Sequence, residues 1–152
     1  MYFSEEKLVD SPVEETAARL ASWLAAGNGQ AAAEHAMAAG GRVLARAGFA
    51  GLSTTVQVRT SPPVPGGDVT VMALRWSATG PFVSPSPVLV AFLETSAAGA
   101  ERSRIALIGS YRAPPGSADG FLDQAVLHRA GLVTIQSWLR AASAAATTIN
   151  SR

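Results

Sequence analysis

The 152 residues include no cysteine, a single lysine (Lys7), two tyrosines and two histidines, His35 and His128. Without cysteine there is no disulfide framework, no thiolate zinc site, no iron–sulfur cluster and no cysteine nucleophile. Two histidines leave little room for a multi-histidine metal centre. Glu34 and His35 are adjacent on a helix and diverge, so no metal site is expected. A surplus of one charge is missing too. The net charge of +1 argues against a strongly basic nucleic-acid binder and against an acidic tail protein. No window reaches the roughly 18 apolar residues of a membrane span; the longest clean run is Pro87 to Leu93. The first ten residues carry Glu5, Glu6 and Asp10 where a signal peptide would be basic. The expectation is a cytoplasmic protein with no cofactor, no nucleic-acid partner and no membrane span.

What is present is a composition for a filled core: 48% hydrophobic residues against 15% charged ones. No repeat or linker divides the chain, so residues 1–152 are read as one domain. Charge is uneven along it. Residues 1–39 hold six acids against Lys7 and Arg19, while residues 40–112 hold seven arginines against Asp68, Glu94 and Glu101.

Tyr2 to Val9 reads as a short strand anchored by Phe3 and Leu8. Ser11-Pro12-Val13-Glu14 then has the makings of a helix start, with serine as cap and proline in the first turn. Val13, Ala17, Leu20 and Leu24 recur at helical spacing, with Glu15 and Arg19 paired on the wet side. Gly27-Asn28-Gly29 ends this helix, and a second runs from about Gln30 to Ala39, stopping at Gly40-Gly41. The same glycines match the dinucleotide-binding pattern G-x-G-x-x-A, but they follow a helix rather than a strand, so they read as a helix–helix turn. Beyond them the period changes to two. Strands are expected at Arg42–Ala47, Leu52–Thr60, Val69–Ala78, Val88–Thr95 and Ser103–Arg112, with loops at Pro62–Gly67, Gly80–Pro87 and Ala113–Gly120. Short connections favour an antiparallel meander. A long helix over about Phe121 to Ala145 closes the chain.

On a helical wheel that last helix turns Arg129, Gln136, Arg140 and Ser143 to solvent, and Gln124, Leu127, His128, Gly131, Ile135, Trp138 and Ala142 inward. Two features of the inward face stand out. Gly131 costs about 1 kcal/mol against alanine, so a space requirement should offset it. Gln124 and His128 are polar and need partners if buried.

The order of elements resembles the START-like (SRPBCC, helix-grip) superfamily, which includes polyketide aromatase/cyclases. The resemblance rests on Asp10-Ser11-Pro12-Val13-Glu14-Glu15 after the opening strand, on Leu74-Arg75-Trp76-Ser77-Ala78-Thr79-Gly80, on Ser110-Tyr111-Arg112-Ala113-Pro114-Pro115-Gly116 and on Leu127-His128-Arg129. These segments look like those of uncharacterised bacterial members, and none is a catalytic signature. The resemblance implies an α+β fold in which a curved antiparallel sheet of six or seven strands wraps a long C-terminal helix, with two short helices after the first strand. It also implies an apolar pocket between sheet and helix. The alternating strand faces then propose its lining: Val56 and Val58, then Met72, Leu74 and Trp76, then Val88, Val90 and Phe92, then Leu107 and Tyr111, completed by Gln124, His128, Gly131 and Ile135 from the helix. Trp76 and Tyr111 are favoured because each joins a large apolar surface to a polar atom that needs a partner.

Three functions follow as expectations. The first is binding of a hydrophobic small molecule or lipid in that pocket. The second is a cyclase- or dehydratase-like enzyme in which His128 and Tyr111 form the acid–base pair. The third is an interaction protein with a solid core, working through Arg59, Arg75 and Arg112 on the outer sheet face. A homodimer is compatible with all three.

Overall fold

A computed structural model describes residues 1–48, 55–80, 83–112 and 124–147, without the side chains at 79, 80, 83–87 and 124. The expected segments Leu52–Thr54, Ala113–Gly120 and Phe121–Asp123 lie outside the described residues. Six strands and three helices follow in the order β1 (Tyr2–Val9), α1 (Val13–Ala25), α2 (Asn28–Arg46), β2 (Thr55–Thr60), β3 (Val64–Gly66), β4 (Val69–Gly80), β5 (Val83–Ala97), β6 (Ser103–Tyr111) and α3 (Gln124–Thr147). All pairings are antiparallel, in the order β1-β6-β5-β4-β2, with β3 also on β4. This is the α+β helix-grip arrangement: one antiparallel sheet, two helices inserted after its first strand, and a long last helix.

The outermost line of the sheet is in effect one strand broken in two. After Thr60, Ser61 still bonds β4: its N–H donates to Ala73 O at 2.9 Å and its Oγ accepts from Ala73 N at 2.8 Å. Pro62 and Pro63, which cannot donate, interrupt the ladder before β3 resumes it. The edge of β2 is covered by a side chain that imitates a peptide group. Gln30 donates through Nε2 to Val56 O and accepts at Oε1 from Val58 N at 2.8 Å, which ties the start of α2 to the sheet.

Four local expectations are corrected. The serine cap is not formed: α1 begins at Val13, and Ser11 Oγ instead accepts from Arg19 Nη1 at 3.0 Å. Arg19 reaches across to Ala146 O at 3.0 Å as well, placing a cation on the last turn of α3. In β1, Leu8 is exposed and Val9 is the buried anchor, because alternation from Phe3 reaches Val9 and not Leu8. The segment Arg42–Ala47 is not a strand; Arg42 to Arg46 is the end of α2, which runs straight through Gly40-Gly41. Finally, Gly80 to Pro87 is not a free loop, since β4 extends to Gly80 and β5 starts at Val83. Pro85 and Pro87 are tolerated because 83–87 lie beyond the end of β6, which first meets β5 at Leu89.

The fifth correction matters most for the site. Register shifts between Trp76 and Ser77, whose partners are Leu89 and Pro87, so Val88 is an extra residue in β5. A bulge of this kind reverses the alternation beyond it. Val88, Leu89, Ala91 and Leu93 are therefore buried, whereas Val90 and Phe92, expected in the lining, face outward and are 45% and 53% exposed.

Gly40 explains why α2 does not stop there. A Cβ at that position would stand 2.1 Å from Thr134 Oγ1 and 3.0 Å from Ala130 O on α3, so the glycine is where the two helices touch. Gly41, one residue on, would meet nothing within 4 Å. Gly→Ala ordinarily stabilises a helix by about 1 kcal/mol. Gly41→Ala is expected to raise the melting temperature and Gly40→Ala to lower it, the latter by the roughly 1–3 kcal/mol of an overpacked contact. Thermal denaturation of the two variants checks this, and a stabilising Gly40→Ala would refute the close approach.

Candidate functional site

Three side chains form a row across the inner sheet face, set by register alone. Trp76 on β4 pairs with Leu89 on β5, which pairs with Tyr111 at the end of β6. All three are buried. Met72, Leu74 and Leu107, the other strand residues expected here, are buried on the same inner face, and Ile135 of α3 is buried as well. Phe92 is not among them, for the reason given above.

The helix meets this row at Gly131. A Cβ there would lie 3.0 Å from Tyr111 Cδ1 and 3.0 Å from Met1 Cε, so the missing side chain makes room for the phenol ring and the methionine. This is the space requirement that a mid-helix glycine called for. Tyr111 continues beneath α3 toward α2, with its hydroxyl donating to Met37 Sδ at 3.8 Å. Burial pushes its phenol above the ordinary value of 10.0, and a hydrogen bond with Thr134 pulls part of the way back. At neutral pH Tyr111 is therefore an uncharged O–H rather than a base, with its proton directed at the weak acceptor Met37 Sδ.

His128 is placed differently from the expectation: it is exposed. It shares a side of α3 with Gly131 and Ile135, but burial on this helix starts only at Ala130, so it stands beyond the packed layer. A wheel gives direction around the axis and carries no information on where along the axis packing begins. The side chain of Gln124 lies outside the described residues. The acid–base pair of His128 with Tyr111 is thus split between surface and interior. Among the described residues no group of three or more His, Asp or Glu side chains is arranged to hold a metal.

Two polar features were not legible in the sequence. Trp138 Nε1 donates to Gly29 O at 3.2 Å, whereas the fully buried Trp76 Nε1 has no partner among the described residues. A buried N–H left without an acceptor costs about 1–3 kcal/mol. The second feature is a recess of about 270 Å³ at the strand ends. The buried Val88, Leu89 and Tyr111 line it together with Met1, Ser110, Arg112 and the exposed Tyr2 and Val90. It reaches two of the three members of the row; Trp76 and His128 are not in its lining. Arg112 fixes this corner through its backbone N–H, which donates to Val88 O at 2.7 Å.

No family profile matches the sequence, and no curated protein matches it. Comparison of folds finds the Zhui aromatase/cyclase from Streptomyces sp. R1128, at 15% identity and a TM-score of 0.31, covering 95% of this chain and 94% of that one. A likeness of that size carries no substrate, and the fold rests on the element order and register described above. Among the described residues no helix is long and apolar enough to cross a membrane.

The raised phenol has a consequence at alkaline pH. Tyr111 adds stability in full below about 10, and that contribution is lost as the pH rises from there through the higher folded-state value, because the unfolded chain ionises first. The melting temperature of the wild type is expected to fall relative to that of Tyr111→Phe between about pH 10 and 11.5. Parallel melting curves across that range would contradict the buried, neutral phenol.

Proposed function

We propose that the protein binds a hydrophobic or amphipathic small molecule in the recess at the strand ends, beside Tyr111 where Gly131 of α3 meets it. The observation that carries this reading is the recess opening onto the Trp76–Leu89–Tyr111 row. Val88 and Leu89 would take the apolar part of the molecule, and the Tyr111 hydroxyl, whose proton is directed at the weak thioether acceptor Met37 Sδ, would turn to an oxygen of the molecule. The Trp76 indole, unpartnered among the described residues, stands beyond Leu89 in the same row. Ligand sites of soluble proteins combine these parts, a mainly apolar wall with a few convergent polar groups.

A cyclase or dehydratase needs in addition an acid and a base within reach of one substrate. Of the side chains that line the recess only Tyr2, Tyr111 and Arg112 are ionisable, and His128 is at the surface. No observation favours turnover, so binding is the conclusion. Native mass spectrometry of gently purified protein is expected to show a bound species of small-molecule mass. Ser110→Trp, which fills the rim without touching the core, is expected to lose it. The reading fails if the wild type carries no adduct and does not enhance anilinonaphthalene-sulfonate fluorescence, or if Ser110→Trp retains both properties.

A further inference from the structure

The outer face of the sheet has a pattern that small-molecule binding does not use. Register places its outward side chains in rows. One row holds Arg59, Arg75 and Val90, the next holds Phe92 beside Ile108, and the one after holds Glu94. Arg59 and Arg75 are direct cross-strand partners, both exposed, and like charges so placed repel. Neither forms an ion pair among the described residues, and Glu94 forms none there either. Val90 in the arginine row and Phe92 and Ile108 in the row between the charged ones are 45%, 53% and 37% exposed and form a contiguous apolar patch, with Tyr2 and Val64 exposed at its margins.

We propose that this face binds a second copy of the chain, sheet against sheet. The charges select the symmetry. Arg75 and Glu94 lie on either side of the Phe92 row, one row away each. A two-fold axis running along the Phe92 row, perpendicular to the strands, stacks Phe92 on Phe92 and Ile108 on Ile108. It also brings the arginine row of each copy over the glutamate row of the other, with Arg75 one strand from the facing Glu94. Such a contact is self-complementary, as a two-fold interface must be. The antiparallel strand directions it produces suit aligned sheet packing about 10 Å apart. Five strands about 4.8 Å apart and three rows about 7 Å apart give a projected face of about 500 Å², whose corrugated surface approaches the roughly 800 Å² per partner of a standard interface. Arg75 then gains an anion, where none of the described residues of its own chain pairs with it. Val90 also borders the recess, so the contact is centred on Phe92 and Ile108, which do not line it.

Sedimentation velocity from about 1 to 500 µM reads it out. The wild type is expected to dimerise, and Phe92→Glu, at an exposed position that leaves the core intact, to be monomeric. Arg75→Glu and Glu94→Arg are each expected to weaken the dimer at least about tenfold, and the two together in one chain to restore it to within about threefold. Restoration distinguishes a charge match across the two-fold from simple loss of folding. A wild type that is monomeric throughout, a dimer that survives Phe92→Glu, or a double reversal no better than the single ones would each overturn the proposal.

Discussion

The structure depends on how Trp138 is held. Its indole N–H donates to Gly29 O in the first turn of α2, and its ring meets Trp23 of α1 at 5.6 Å and Trp76 of β4 at 6.1 Å, both edge-on. One side chain of α3 thereby touches both inserted helices and the sheet. Gly29 is closely packed against α1 as well, since a Cβ there would stand 2.7 Å from Leu24 Cδ2 and that side chain would have to shift. Edge-to-face rings gain about 0.5–1.5 kcal/mol beyond their burial, so three tryptophans joined in this way make a rigid centre.

From this fixed point the rest follows along α3. About one turn before Trp138, Thr134 faces Gly40 and sets the distance to α2; nearly a turn earlier again, Gly131 leaves the gap that Tyr111 enters. The C-terminal half of the helix rests on a solid core, with Leu139, Ala142 and Ala146 buried. The N-terminal half meets the strand ends at Gly131, beside Tyr111 and Met1, which also line the recess although no described residue of α3 does. The Arg112 side chain and the ammonium of Met1, which donates to Tyr111 O at 2.7 Å, bring positive charge to this corner.

Alternation and spacing made most of the inner face legible. Met72, Leu74, Trp76, Leu107 and Tyr111 could be placed because β4 and β6 keep strict period two through these positions. Phe92 was misplaced because the bulge at Val88 depends on pairing with β4, which no property of β5 alone reveals. Gly40-Gly41 has the local chemistry of a helix stop; only the neighbouring helix, with Thr134 at the contact, shows that one of the pair is a packing device. The significance of Gly131 was readable as a cost without an evident return, and Tyr111 is the return. His128 shows the converse, since periodicity gave it an inward direction at a depth where nothing is packed. Whether a buried indole finds an acceptor is a matter of three-dimensional neighbours: Trp138 finds Gly29 and Trp76 finds none among the described residues.

The contrast between these two indoles supplies the most direct test of binding along the inner row. In a nitrogen–proton correlation spectrum each tryptophan gives one indole signal, assignable by Trp→Phe substitution. Addition of the small molecule released from the purified protein, or of anilinonaphthalene-sulfonate, should shift the Trp76 signal downfield as it acquires an acceptor. The Trp138 signal, already bonded to Gly29, should stay in place. Saturable binding that leaves Trp76 unmoved, or that moves Trp138 as much, would contradict the account.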